Sequence, residues 1–291
     1  MLISPKILFS DAIRNNYAVG AFNFYNIDTL SSILKAAETE QAPVIVQIYS
    51  PHFLHYNGGG VIAAAALKMI HASTVPIALH LDHSTSFDCI LKAIQCGFNS
   101  VMYDGSNLNL KENIINTLKV VEVTKSLDIF TEAEIGKIIR IGSPGENENP
   151  VYTSVEDAIK LVNKTGIDSL APSLGTAHGI YKKTPNINFD RLKAISEAVK
   201  IPLVLHGGSG IPDDIIRNVI DLGIRKINVG TELKYKWSET MLEMLKKGEK
   251  EPIVMSTNAI KAVEEVVRRK IKLFGSTGMG GEIMKAFHTI G

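Results

Sequence analysis

The chain is short of cysteine and of net charge, and it has no long apolar run. Each shortage excludes something. Its 291 residues include two cysteines, Cys89 and Cys96. Seven positions apart on one predicted helix, they are badly placed for a disulfide and read as free thiols of a reducing compartment. Lys+Arg number 31 and Asp+Glu 30, a formal net charge of +1. That balance gives no electrostatic case for nucleic acid or a membrane surface as main partner. No apolar run reaches the roughly 18 residues that would suggest a membrane span. Pro5, Lys6 and Asp11 interrupt the stretch in which a signal peptide needs its apolar core, so the expected location is the cytoplasm. Walker A, HExxH and G-x-S-x-G patterns are missing too, which removes P-loop nucleotide chemistry, zincin proteolysis and the α/β-hydrolase elbow.

What is there is alternation. Short β-rich apolar runs fall at 17–23, 43–47, 76–82, 100–104, 129–134, 169–172, 202–206 and 226–229. Amphipathic helical patterns lie between them, at 27–40, 87–96, 111–125, 155–164, 191–199 and 213–221. Eight strands alternating with helices predict a (β/α)8 TIM barrel, α/β in class, formed by a single domain over 1–291. An additional C-terminal helix is expected at 258–274. A doubly wound open sheet is the competing architecture, but no nucleotide fingerprint accompanies it. Ser154 before Val155-Glu156-Asp157 is a helix start with a capping residue, and the polar segment 142–150 is a loop after the fifth strand and a candidate lid.

Three histidines each sit where a predicted strand ends: His83 in HLDHS, His178 in GTAHG and His206 in LHGGSG. In a parallel barrel those ends form the rim where chemistry is done. One such histidine is ordinary; three on one rim can hold a Zn²⁺ ion with a coordination position left for substrate. Imidazole suits zinc better than the hard cations Mg²⁺ and Ca²⁺. His80 reads as a buried supporting imidazole one layer deeper, while His52, His55, His71 and His288 read as surface or packing residues. Asp104 and Glu134 end the fourth and fifth strands. They could orient an imidazole, hold a second or alternative metal, or simply cap the next turn.

Two glycine-rich loops follow adjacent strands, HGGSG at 206–210 and NVGTE at 228–232. Barrels commonly hold a phosphate there, because glycine lets backbone amides approach the anion and a helix N-terminus adds a favourable dipole. Ser209 and Thr231 can add hydroxyl donors, and Gly175–Gly179 supply a third glycine-rich rim segment.

The segments AFNFYN, HLDHS, VMYDGS, EAEIG, GTAHGIY, LHGGSGIPD and KINVGTE, in this order and spacing, resemble the class II, zinc-dependent fructose-bisphosphate aldolases. The similarity spans nearly the whole chain and is greatest to the short branch that includes tagatose-bisphosphate aldolases. The resemblance implies that His83, His178 and His206 bind the catalytic zinc and that Asp82 exchanges the proton of the aldehyde oxygen. It implies a metal position in some members at Asp104 and Glu134. Gly179, Gly207, Gly208, Ser209, Asn228, Val229, Gly230 and Thr231 would hold dihydroxyacetone phosphate. Ser50 matches a contact to the aldehyde half, and Arg268 one to a second phosphate, reached from a neighbouring subunit of a homodimer or homotetramer.

The implied partner is a phosphorylated sugar, fructose- or tagatose-1,6-bisphosphate first. A deoxy, sulfo or inositol-derived ketose phosphate is the alternative, as is a non-catalytic phosphosugar-binding subunit. One departure stands out. The family loop that supplies a proton-shuttling glutamate reads EIGKIIRIGSPGENEN here, leaving Glu146, Glu148 or no residue in that role.

Overall fold

The computed structural model describes residues 1–141, 152–181 and 183–290. Ten strands occur among them: β1 (Val19–Asn23), β2 (Val44–Tyr49), β3 (Ile77–Ser84), β4 (Ser100–Asp104), β5 (Phe130–Ile135), β6 (Ile139–Arg140), β7 (Ser169–Pro172), β8 (Ala177–His178), β9 (Leu203–Leu205) and β10 (Ile224–Val229). Eight close into an all-parallel barrel in the order β1-β10-β9-β7-β5-β4-β3-β2. The expected TIM barrel is therefore present, and each of the eight predicted strands overlaps one barrel strand. The short β6 and β8 form a separate two-stranded ribbon above the rim, a feature that two-residue strands cannot announce in sequence.

The predicted helices recur within two residues at each end, and the helix over Asp213–Asp221 coincides with its prediction. The C-terminal region is larger than expected. Pro252–Leu273 begins six residues before the predicted 258, and a further helix covers Met279–Ile290. Pro252 at the first helical position explains the early start, since its fixed φ suits a first turn and its missing N–H costs nothing there. No described helix is long and apolar enough to cross a membrane.

Strand alternation divides the barrel interior into layers. Outward residues such as Phe22, Val46, Leu79, Leu81 and Ile227 join the large core beneath the helices. Inward residues at the N-terminal end, Val19, Ala21, Ile45, Ala78 and Phe130, join Leu8 and Phe9 of the N-terminal helix in a second apolar cluster that plugs the barrel floor. One step up, the same inward positions become polar: Gln47, His80, Ser100, Glu132 and Lys226, all buried. A further step up lie Asn23, Asp82, Asp104, Glu134, His206 and Asn228. An apolar floor, a polar middle and a functional rim follow from period two along each strand.

Candidate metal centre and active site

Asp82 and His83 are consecutive in β3, so a regular strand would point them to opposite faces. The strand is not regular there. His83 has φ +49, in the left-handed region, and the β3–β4 register shifts between Leu81 and Ser84. The bulge turns both side chains toward the barrel mouth. A non-glycine residue held at positive φ stores strain that the surrounding structure must hold, and such residues cluster at working sites.

His83, His178 and His206 each offer a ligand atom to one group whose members lie within 4.8 Å of one another. Their ring centroids are 4.8 Å (His83–His178), 4.6 Å (His83–His206) and 5.9 Å (His178–His206) apart. His178 does not end a barrel strand, as the sequence suggested. It lies in β8, beyond the end of β7, and the β6–β8 ribbon carries it back over the rim.

Second partners orient two of the rings. His83 Nδ1 bonds Asp104 Oδ2 at 2.8 Å, leaving Nε2 to face the centre. His206 Nε2 bonds Glu132 Oε1 at 2.9 Å, leaving Nδ1 to face it. His83 Nε2, His206 Nδ1 and Glu134 Oε2 are buried and have no hydrogen-bond partner. Glu134 Oε2 lies 3.0 Å from His206 Nδ1, but the approach lacks hydrogen-bond alignment. Buried polar atoms are rarely left unpaired. Two of them, His83 Nε2 and His206 Nδ1, belong to the three-histidine group and are what a cation there would satisfy, and the imidazole-rich donor set fits zinc, while Glu134 Oε2 stands 3.6 Å from His83 Nδ1.

Asp104 combines two of its expected roles. Its Oδ1 accepts from the Ser106 N–H (3.1 Å) and hydroxyl (2.6 Å), capping the turn, while Oδ2 orients His83. Burial opposes its charge, but the hydrogen bond from His83 wins and holds the carboxyl well below the usual range. Glu134 goes the other way: burial and the neighbouring Asp104 charge raise its pKa. His83, Asp104 and Glu134 form a second group able to share a cation. On His206, burial disfavours the charge, yet Glu132 and Glu134 raise the pKa to about 10. A metal entering there displaces a proton.

Asp82 stands beside this centre, its Oδ1 3.9 Å from His83 Nε2. Asn23 Nδ2 donates to its Oδ2 (2.8 Å) and Asn228 Nδ2 to its Oδ1 (3.2 Å). Gln47 in turn holds Asn23, donating to Asn23 Oδ1 at 2.9 Å. Burial works against the charge, but His83 and His206 hold the Asp82 carboxyl below its ordinary value, so it is ionised at neutral pH.

A cleft of about 590 Å³ opens over these groups. One side is the glycine-rich wall of Gly179, Gly207, Ser209, Gly230 and Thr231. Gly207 has φ +70, and a Cβ there would run into the Ala177 carbonyl. The helix Thr231–Lys246 starts at Gly230, beside the cleft, and the Glu232 N–H of its first turn donates to Ser209 Oγ at 3.3 Å. Gly208, whose N–H bonds the Asn228 carbonyl, and buried Val229 stand behind this wall.

Tyr25, Tyr49, His52 and Lys234 also line the cleft, with the Tyr25 hydroxyl close against Gly230. The sequence assigns no site role to these four, and His52, expected at the surface or in packing, lines the cleft. His52 meets Tyr25 and Tyr49 edge-on at 5.5 and 5.3 Å, and Tyr49 also meets His83 at 6.3 Å. Ser50, next to Tyr49, gives its hydroxyl to the His83 carbonyl at 2.7 Å and so braces the bulge. Arg268 does not line the cleft of its own chain, since its Nε bonds Glu40 at 2.7 Å. Glu146 and Glu148 lie outside the described residues.

Residues 4–279 match the family described as fructose-bisphosphate aldolase class-II. The chain is 41% identical to a 6-phospho-5-dehydro-2-deoxy-D-gluconate aldolase of Bacillus subtilis (strain 168), over 95% of this chain and 96% of that one. It is 39% identical to a sulfofructosephosphate aldolase of Alkalicoccus urumqiensis, over 94% and 96%. The crystal structure of the YdjI aldolase from Escherichia coli K12 superposes with a TM-score of 0.87 at 35% identity, covering 96% of this chain and all of that one.

Proposed function

This chain belongs to the class II fructose-bisphosphate aldolase family and is an aldolase, and we propose that it cleaves a ketose phosphate reversibly, with zinc, into dihydroxyacetone phosphate and an aldehyde. The observation that carries this reading is the grouping of His83, His178 and His206, with His83 Nε2 and His206 Nδ1 unpaired, beside an ionised Asp82. Family membership speaks against the alternative of a non-catalytic binding subunit.

His83, His178 and His206 would hold the zinc. Bound there, zinc supplies Lewis-acid stabilisation of the negative charge that develops as the carbon–carbon bond breaks. Asp82 takes the proton of the C4 hydroxyl in cleavage and returns it in condensation. Asn23 and Asn228 fix the carboxylate so that one oxygen faces the reacting end. The phosphate sits against Gly207, Ser209 and the helix start at Gly230–Thr231, where remote binding energy aligns the reacting carbons.

With the phosphate over β9 and β10 and Asp82 on β3, the aldehyde half extends over β1 and β2, toward Tyr49 and His52. Fructose- and tagatose-1,6-bisphosphate are the first candidates. A deoxy or sulfo ketose phosphate is the second reading, because relatives named for such substrates are 41% and 39% identical to this chain. Triose phosphate release from a panel of these ketose phosphates, with zinc present, tests the reading. Absence of release from all of them would refute it.

A further inference from the structure

Beneath the metal centre, the polar middle layer forms a chain of hydrogen bonds whose directions can be assigned. Lys226 Nζ can only donate. It lies 2.7 Å from Glu132 Oε2 and 3.4 Å from His80 Nε2. His80 Nε2 therefore accepts, its proton is on Nδ1, and Nδ1–H donates to Ser100 Oγ at 2.6 Å. Glu132 Oε1 can only accept, so His206 Nε2 carries a proton and donates it. With Nε2 committed, the nitrogen that can give a lone pair to a cation is Nδ1, the atom buried without a partner.

We infer that Glu132 and Lys226 are positioning residues for this metal centre: Lys226 pins the Glu132 carboxylate, which fixes the His206 ring so that Nδ1 faces the ion. The inference rests on the zinc reading above. Placement in the barrel supports it. Glu132 and Lys226 lie on β5 and β10, and their side chains are about 1% exposed. A buried ion pair is weak grounds for stability, since two apolar residues of similar volume often do as well. Its place directly under a ligand is accounted for by orientation of that ligand. His80 closes the chain by accepting from Lys226 without adding a charge.

The donor directions give a test. In Glu132→Gln, Lys226 claims the amide oxygen, and the amide NH₂ then faces His206 Nε2. A donor opposite Nε2 drives its proton to Nδ1, the atom facing the metal. In Glu132→Gln/Lys226→Met nothing claims that oxygen, and it can again accept from Nε2–H. Zinc affinity is measured by chelator competition, folding by circular dichroism and thermal melting, and the His206 ring nitrogens by ¹⁵N NMR of the zinc-loaded proteins.

The expected results are a zinc Kd raised roughly 10–100-fold in Glu132→Gln, recovered in large part in the double variant. Zinc-loaded wild type should carry its His206 proton on Nε2 with the metal-shifted signal on Nδ1, and Glu132→Gln should disturb that pattern while its fold is retained. A pair that serves stability alone would lower the melting temperature and leave the ring-nitrogen pattern as it was. That result, or a Glu132→Gln protein within twofold of wild-type affinity, overturns the inference. If the variants do not fold, wild type alone decides, because metal on Nε2 contradicts the assignment. Failure of wild type to bind zinc at all would overturn the metal reading as well.

Discussion

Asp82 and His83, consecutive on β3, both face the cleft, with Asp82 Oδ1 3.9 Å from His83 Nε2. The left-handed backbone at His83 makes this possible, and it places a proton-transfer carboxylate beside a metal ligand. The two roles should separate by mutation. Asp82→Asn keeps the size and the three imidazoles, so zinc content should hold. Cleavage should fall by about 10²–10⁴, the usual worth of a positioned acid–base group. Steady-state kinetics and metal analysis on the same preparation check this; an Asp82→Asn enzyme of near-normal turnover would remove Asp82 from the mechanism.

Chelation should abolish cleavage, and zinc should restore it. The unpaired buried atoms of the metal-free site predict more than lost activity: zinc should also raise the thermal midpoint, by mass action on the folded state. Calorimetry with and without zinc reads this. An unchanged midpoint at saturating zinc argues against a site in the folded protein.

Tyr49 and His52 should govern the aldehyde half of the substrate. In the condensation direction Tyr49→Ser should change kcat/KM among aldehydes of different size roughly 10-fold or more, about 1.4 kcal/mol. The exchange of the dihydroxyacetone phosphate C–H proton with solvent, which needs no aldehyde, should change little. Equal effects on both reactions would place Tyr49 with the metal centre instead.

His80 should make the metal-free protein lose stability in mild acid. Burial, with the Lys226 charge, lowers its pKa to about 3 in the folded state, against about 6.5 unfolded. Folded His80 stays neutral where unfolded His80 takes a proton, so its contribution is complete above pH 6.5 and declines as pH falls toward 3. The slope approaches about 1.4 kcal/mol per pH unit. His206 and Glu134, whose folded pKa values are raised, contribute with the opposite sign, so the difference between wild type and the His80 variant is what isolates His80. In urea unfolding, the stability of His80→Gln relative to wild type should rise as pH falls below about 6.5.

Gly207→Ala should damage the phosphate wall. Alanine disfavours φ +70, and its Cβ meets the Ala177 carbonyl next to His178. A loss of roughly 1–3 kcal/mol is expected, with a raised KM for ketose phosphate. Denaturant unfolding and KM together test it.

The sequence pattern resolved much of this in advance. Alternating apolar runs are themselves the barrel's construction rule, so eight strands and most helices could be read from them. His80 was legible as a supporting residue because it sits two positions, one inward step, below Asp82. Other residues were hidden. Glu132 and Lys226 each look like a stray charge in a strand, and their meaning requires the opposite wall of the barrel. Tyr49 and His52 carry no motif, and only the chain's turn out of β2 brings them over the cleft. Arg268 was assigned by resemblance to a second phosphate, whereas in its own chain it bonds Glu40.

By itself the sequence determined the barrel and which imidazoles and glycine loops would reach the rim. Period two in a strand and a strand–helix repeat are local properties, and local properties survive in one dimension. The tertiary structure alone decided that Asp82 and His83 face the same way, that His178 is carried in by the β6–β8 ribbon, and which ring nitrogen each of His83 and His206 presents. These depend on backbone strain, on a bridge between distant segments, and on donors and acceptors meeting across a closed barrel, none of which any stretch of residues specifies alone.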